Sequence, residues 1–108
     1  MTEYARHYVL AALAALSILA SSPDIAAAAD RAFGEYLSSE CVTCHQLSGR
    51  FEGIPAIIGW PEASFIAIMN EYREKRRSNP VMQTIAAKFS NEEVAALAAY
   101  FGSLKSKN

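Results

Sequence analysis

Two cysteines and a histidine lie within five consecutive residues, in the stretch CVTCH that runs from Cys41 to His45. Cys41 and Cys44 are the only cysteines in this chain of 108 residues. Thiols can pair as a disulfide, and thiolates and imidazoles are both metal ligands. The spacing therefore predicts one of three sites: a disulfide, a zinc site or a covalent attachment site for haem.

A haem site accounts for all three side chains, which the other two alternatives do not. A redox-active disulfide belongs beside a strand-helix-strand pattern, and no strand alternation flanks the cysteines. Structural zinc takes four ligands, usually in two separated pairs, and His45 is the only histidine after residue 29. In a c-type site the thiols of Cys41 and Cys44 form thioethers with the haem, and His45 ligates the iron. We therefore predict one covalent haem c, with a simple disulfide as the alternative.

The sixth iron ligand must come from elsewhere in the chain, and two methionines are the candidates. Met69 shares a helical spacing with the apolar residues Phe65 and Tyr72, which is typical of a core residue. Met82 follows a polar stretch with a proline, residues 78–81, which we expect to be a loop. A loop can bring sulfur to the iron more readily than a packed helix can. We predict Met82 as the distal ligand, and the alternatives are Met69, a lysine or an open site.

The first 29 residues are predicted to be a signal peptide that is cleaved on export. An apolar run from Tyr8 to Ala20 follows Arg6, and it is shorter than the ~20 residues that a transmembrane helix needs. The four alanines before Asp30 are the small residues that a signal peptidase recognises. We expect a periplasmic protein with one domain, residues 30–108. The alternative is an uncleaved N-terminal anchor, which would attach the protein to the membrane.

Charge and size limit the kind of partner and the kind of core. Residues 30–108 carry nine acidic and nine basic side chains, so nucleic acid is not expected as a partner. A domain this small needs an additional core, which a large apolar haem would provide. Four basic residues are close together in sequence: Arg73, Lys75, Arg76 and Arg77. They either steer an acidic redox partner or only complement the C-terminal end of a helix.

The helical patterns predict an all-α fold of three to four short helices around the haem. The first helix is expected over residues 30–40, where Gly34 allows a close approach. Its apolar side consists of Ala32, Phe33, Tyr36 and Leu37. Glycines and prolines predict a loop over residues 46–62, with Pro61 as the first residue of a helix that extends to residue 77.

The last helix has the clearest start signal. Ser90 and Glu93 are spaced as a capping box, in which each side chain accepts a hydrogen bond from the backbone amide of the other residue. The apolar residues that follow at helical spacing are Val94, Leu97, Ala98, Phe101 and Leu104. Lys105 and Lys107 suit the C-terminal end of the helix dipole.

Together with CVTCH, these patterns resemble the class I cytochrome c family over residues 30–108. The segment Pro55-Ala56-Ile57-Ile58-Gly59 is similar to the family's P-x-[LI]-x-G motif. The resemblance implies that the carbonyl oxygen of Pro55 accepts a hydrogen bond from the proximal histidine and that Ile57 packs on the haem. Such a bond makes the imidazole a stronger ligand for iron.

In more detail, the chain resembles the haem subunit of flavocytochrome c sulfide dehydrogenases. The similar segments are residues 54–59, a helix ending at Tyr72, residues 81–86 and residues 89–94. The resemblance implies that Met82 is the distal ligand. Lys75 stands where that family has a glycine after the tyrosine helix, so we expect this helix to continue farther here.

These residues predict single-electron transfer without bond chemistry, so the chain is not expected to be an enzyme itself. Ligation by histidine and methionine tends to raise the reduction potential, which favours taking electrons from a dehydrogenase. The resemblance implies that the donor is a flavoprotein that oxidises sulfide or a related reduced sulfur compound. The alternatives are a freely diffusing carrier to an oxidase or another dehydrogenase, and a gas-binding or peroxidatic haem protein with an open sixth site.

Overall fold

The computed structural model describes residues 23–105. Most of the predicted signal peptide, residues 1–22, and the last three residues, which include Lys107, lie outside the described part. The described residues form five helices and no β-strand: α1 (Pro23–Leu37), α2 (Ser39–Val42), α3 (Glu62–Arg73), α4 (Pro80–Ala86) and α5 (Asn91–Ser103). The predicted small all-α fold is confirmed. Over residues 23–105, none of the helices is long and apolar enough to cross a membrane.

Helix α5 is central to the core, since both α1 and α3 pack against it. Its buried residues include the predicted Val94, Leu97, Ala98 and Phe101. The ring of Phe101 stacks on Phe65 of α3 with ring centroids 5.8 Å apart, an arrangement that adds about 0.5–1.5 kcal/mol beyond burial. The predicted capping box is present: the Glu93 amide donates to Ser90 Oγ at 3.2 Å, and the Ser90 amide donates to Glu93 Oε2 at 2.7 Å. Local sequence therefore defines the start of this helix.

Helix α1 crosses α5 at Gly34, as the sequence predicted. A Cβ atom at Gly34 would overlap the carbonyl oxygen of Ala96 and lie 2.7 Å from Cβ of Tyr100. The two helix backbones therefore approach more closely than any side chain at this position would allow. This crossing brings the segment before CVTCH against the last helix.

Two expectations about the first helix are wrong. It begins at Pro23 rather than at Asp30, and it ends at Leu37, after which Ser38 separates it from the short helix α2. Of the predicted apolar side, Leu37 packs against the core, but Tyr36 is 78% exposed and Phe33 is 43% exposed. Successive helical residues are rotated by about 100°, so Tyr36 points away from the side on which Gly34 meets α5.

Helix α3 ends at Arg73 and does not continue to residue 77 as expected. Lys75 has a φ of 58°, the left-handed conformation that glycine usually supplies. The Arg76 amide donates to the Glu71 carbonyl at 2.9 Å and the Lys75 amide to the Tyr72 carbonyl at 3.1 Å, which is a Schellman motif. These two bonds satisfy the backbone carbonyls at the end of the helix. Lys75 therefore ends the helix in the conformation that a glycine would adopt at this position.

The segment between α2 and α3 is a loop, as predicted. Residues 46–61 contain no helix or strand. The Gly59 amide donates to the carbonyl oxygen of Phe101 at 2.9 Å, which attaches the end of the loop to α5. Pro61, predicted as the first helical residue, is instead the N-cap of α3, one position before the first residue of that helix, Glu62. The loop thus leaves the core after CVTCH and returns to it before α3.

Candidate haem-binding site

The CVTCH stretch forms a tight turn at the end of α2. The amides of Cys44 and His45 both donate to the carbonyl oxygen of Cys41, at 3.2 and 2.8 Å. Cys41 is buried, Cys44 is exposed and His45 is half-buried. Both cysteines are free thiols. In the described range 23–105, no three His, Cys, Asp or Glu side chains are grouped so that they could hold a metal ion.

Cys41 belongs to the same buried apolar cluster as Ile57 and Met69. Burial, with a smaller contribution from the charge of Glu40, raises the pKa of Cys41 to about 11. The thiol is therefore uncharged at neutral pH and packs as a small hydrophobic side chain. A thioether sulfur is also uncharged, so this position fits a covalently attached apolar group.

His45 is oriented by a backbone carbonyl ten residues farther along the chain. Its Nδ1 lies 2.6 Å from the carbonyl oxygen of Pro55. A carbonyl oxygen only accepts hydrogen bonds, so Nδ1 must carry the proton in this contact. In the neutral ring, Nε2 then has the free lone pair that a metal ligand requires. The bond between His45 and Pro55 therefore prepares the imidazole for ligation through Nε2.

Apolar residues line the core next to this turn. Ile57 is 8% exposed and belongs to the same buried cluster as Cys41, and Val42, Ile58 and Met82 are partly buried against that cluster. Other large apolar side chains remain exposed in the segments that follow His45 and precede Met82: Leu47, Phe51, Ile54 and Val81. Predominantly apolar walls with a few oriented polar groups are typical of cofactor sites. The residues present thus fit a haem.

Met82 lies in the first turn of α4, so the loop expected at this position is wrong. Asn79 is the N-cap of α4, and its Oδ1 accepts a hydrogen bond from the Met82 amide at 3.1 Å. Pro80 is the first helical residue. An asparagine before a proline is a helix-start signal, which could have identified Asn79 from the sequence. A capped helix holds the backbone of Met82 more firmly than a loop would.

The two methionines differ in burial. Met69 is 5% exposed and packs inside the core, which agrees with the expectation for its helical spacing. Met82 is half-buried at the margin of the same core. A haem bound at Met82 would cover the exposed part of this side chain, whereas the side chain of Met69 is already packed in the core. The assignment of Met82 as distal ligand stays a prediction.

One ion pair near the site was not foreseen from the sequence. Lys88 Nζ lies 3.2 Å from Glu40 Oε2, although the two residues are 48 positions apart. Glu40 directly precedes Cys41, and Lys88 follows the end of α4 by two positions. No pattern in the sequence relates such distant residues, so only the folded chain identifies this contact.

The basic residues after α3 are partly neutralised by neighbouring acids. Arg76 pairs with Glu74 at 2.7 Å, and Arg77 pairs with Glu71 at 3.0 Å. Arg77 also lies over the ring of Tyr72, with its guanidinium carbon 5.7 Å from the ring centroid. The four basic residues together with Glu71 and Glu74 have a net charge of +2. The positive surface suggested by the sequence is correspondingly weaker.

The sequence is similar to those of two known proteins. No protein-family model matches the chain. It is 33% identical over 76 residues to the cytochrome subunit of sulfide dehydrogenase from Chlorobaculum tepidum, with 69% of both proteins covered. It is also 33% identical over 98 residues to the thiosulfate dehydrogenase electron acceptor of Stutzerimonas stutzeri. That alignment covers 86% of this chain and 45% of the relative, so the chain spans less than half the length of the second protein. The chain therefore belongs to the family of cytochromes, electron-transfer proteins, that includes the cytochrome subunit of sulfide dehydrogenase.

Proposed function

We propose that this cytochrome transfers single electrons in the periplasm during the oxidation of a reduced sulfur compound. The two relatives support this proposal, since one is a subunit of sulfide dehydrogenase and the other an electron acceptor of thiosulfate dehydrogenase. The contact of 2.6 Å between His45 Nδ1 and the Pro55 carbonyl carries it, because it leaves Nε2 as the metal-binding atom. Haem, when bound, supplies the one-electron oxidation and reduction of iron.

Each residue of the site has a separate role in this proposal. Cys41 and Cys44 would attach the haem covalently, and His45 and Met82 would ligate its iron. Pro55 fixes the orientation of His45, and the distance of 2.6 Å between its carbonyl oxygen and His45 Nδ1 supports this role. The buried side chain of Ile57 packs beside Cys41 and provides an apolar wall that limits access of water. Ligation by a histidine and a methionine would favour a relatively high reduction potential, which suits an acceptor of electrons.

The electron donor in this proposal is a flavoprotein that oxidises sulfide, with this chain as its haem subunit. The test is purification of the complex from the native host, with haem and flavin absorbance monitored in the same fractions. We expect both chromophores to elute together, and haem to remain bound to the chain after denaturation. A colourless chain would contradict haem attachment. A high-spin haem that binds carbon monoxide at once would instead show an open sixth site.

A freely diffusing carrier is the second candidate. The relative from Stutzerimonas stutzeri supports it, because that protein is named an electron acceptor rather than a subunit. In this case the haem protein elutes alone and is reduced by a separately added dehydrogenase. Turnover with sulfide and with thiosulfate as alternative substrates then identifies the class of donor.

A further inference from the structure

We infer that the ion pair between Glu40 and Lys88 is a latch that keeps Met82 in place as the distal ligand. The inference rests on the proposed function, in which Met82 ligates the iron. The latch joins the helix that carries Cys41 to the residue two positions beyond the helix that carries Met82, at a distance of 3.2 Å between Lys88 Nζ and Glu40 Oε2. Glu40 and Lys88 are thus positioning residues and do not contact the iron themselves.

Helix α4 needs such support because it is short. It has seven residues, whereas isolated helices of fewer than ~12 residues are marginal in water. Its first turn is fixed by the Asn79 cap and by Gln83, whose Nε2 donates to the Arg77 carbonyl at 3.0 Å. Both of these contacts are made within the segment from 77 to 83. They hold the shape of the helix but do not attach it to the haem-binding turn.

Among polar contacts of the described residues, only the ion pair of Glu40 and Lys88 connects the α4 segment to the haem-binding turn. Across the described residues, no other hydrogen bond or salt bridge connects the stretch 38–45 with the stretch 78–90. The backbones at both ends are well anchored, since Cys41 next to Glu40 is buried and Ala86 and Phe89 around Lys88 are buried. Less backbone entropy is therefore lost on pairing than between residues of two mobile segments.

The expected effect is modest because the pair is accessible to solvent. The Lys88 and Glu40 side chains are 52% and 49% exposed, and exposed pairs are weak and screened by salt. An external ligand such as imidazole must displace Met82 before it binds, so its apparent affinity depends on the fraction of molecules with Met82 detached. Breaking the latch should raise that fraction about two- to fivefold.

The test is imidazole binding to the oxidised holoprotein, followed by the visible spectrum at low ionic strength. Lys88→Glu and Glu40→Lys should each lower the apparent Kd by about two- to fivefold. The double variant Glu40→Lys, Lys88→Glu restores an ion pair and should return the Kd to that of the unmodified protein. At 1 M salt the differences should disappear. Lys105→Glu, which makes the same charge change at an exposed lysine beyond α5, is the matched control and should leave the Kd unchanged.

Measurements in the Met82→Ala variant distinguish a failure of the latch from a wrong assignment of the distal ligand. If Met82 is the ligand, Met82→Ala alone binds imidazole much more tightly, and adding Lys88→Glu has no further effect because nothing remains to be displaced. An equal effect of Lys88→Glu in both backgrounds overturns the latch, as does failure of the double charge swap to restore the Kd. If Met82→Ala leaves both Kd and spectrum unchanged, the ligand assignment is wrong, and the latch falls with it.

Discussion

His45 and Pro55 are joined by a contact of 2.6 Å between the imidazole Nδ1 and the proline carbonyl oxygen, across ten residues of chain. The carbonyl belongs to the backbone, so no side-chain substitution removes it. The loop that carries Pro55 is in turn held at its far end, where the Gly59 amide donates to the Phe101 carbonyl. The orientation of the candidate proximal ligand therefore depends on the packing of the last helix.

Loss of both attachment cysteines should prevent stable folding. The double variant Cys41→Ala, Cys44→Ala cannot bind haem covalently, and a domain of this size has too small a core of its own. We expect no covalent haem and a largely unfolded chain in circular dichroism. Recovery of a folded, haem-free double variant with ordinary stability would show that the haem is not a structural element.

The two methionines should respond differently to alanine. Met82→Ala should lower the reduction potential and admit carbon monoxide and imidazole, because a ligand position becomes free. Met69→Ala should keep a low-spin spectrum and destabilise the fold by about 2–5 kcal/mol, because Met69 is 5% exposed in the core. Absorption spectra and denaturant unfolding distinguish the two outcomes. A high-spin, ligand-binding Met69→Ala variant would reverse the assignment.

Gly34 should not tolerate a side chain. The Cβ of Gly34→Ala would overlap the Ala96 carbonyl oxygen, a backbone atom that can move only with α5. We expect destabilisation by about 1–3 kcal/mol, the usual range for overpacking, measured by denaturant unfolding. Gly102→Ala, at a helical glycine on α5 that faces Trp60, is the control. Its Cβ would lie 3.0 Å from the Trp60 carbonyl, and helix propensity offsets the tighter contact, so stability should change by less than about 1 kcal/mol.

Lys75→Gly should stabilise the protein. Lys75 has a φ of 58°, which costs a residue with a Cβ roughly 1–2 kcal/mol and costs glycine very little. We expect a gain of about 1 kcal/mol in the free energy of unfolding, after the greater flexibility of glycine in the unfolded chain is included. Lys75→Ala removes the same charge but keeps the Cβ, so it should give no gain. An equal gain from Lys75→Ala would assign the effect to charge.

Salt should distinguish a free carrier from a permanent subunit. Raising ionic strength from 0.1 to 1 M shortens the Debye length from about 10 Å to about 3 Å, which slows electron transfer that depends on repeated charged encounters. A subunit in a stable interface should show little change in stopped-flow transfer rate. Charge reversal at Arg76 and Arg77 should slow a carrier only modestly, because Glu74 and Glu71 already pair with them. Insensitivity to both changes would mean that the partner docks on another surface.

Local features could be predicted from the sequence because they depend on nearby residues. The capping box of Ser90 and Glu93 acts across three positions, and the helical spacing of Phe65 and Met69 identified a buried side. CVTCH also belongs to this group, since its chemistry follows from the spacing of three side chains. The all-α class was therefore predictable, and the haem attachment role of Cys41, Cys44 and His45 stays a prediction from this spacing, whereas the start of the first helix could not be predicted.

The tertiary structure decided the features that join distant parts of the chain or oppose local preference. Lys75 takes a conformation that its residue type disfavours, because the Schellman bonds and the turn toward α4 compensate for the strain. The partial exposure of Met82 at the margin of the core depends on how α4 packs, which no spacing within that helix encodes. The pairing of Glu40 with Lys88 across 48 residues depends on the same packing. Chain neighbours determine the capping box and the CVTCH motif, whereas the position of Met82 relative to that motif depends on contacts that exist only in the folded domain.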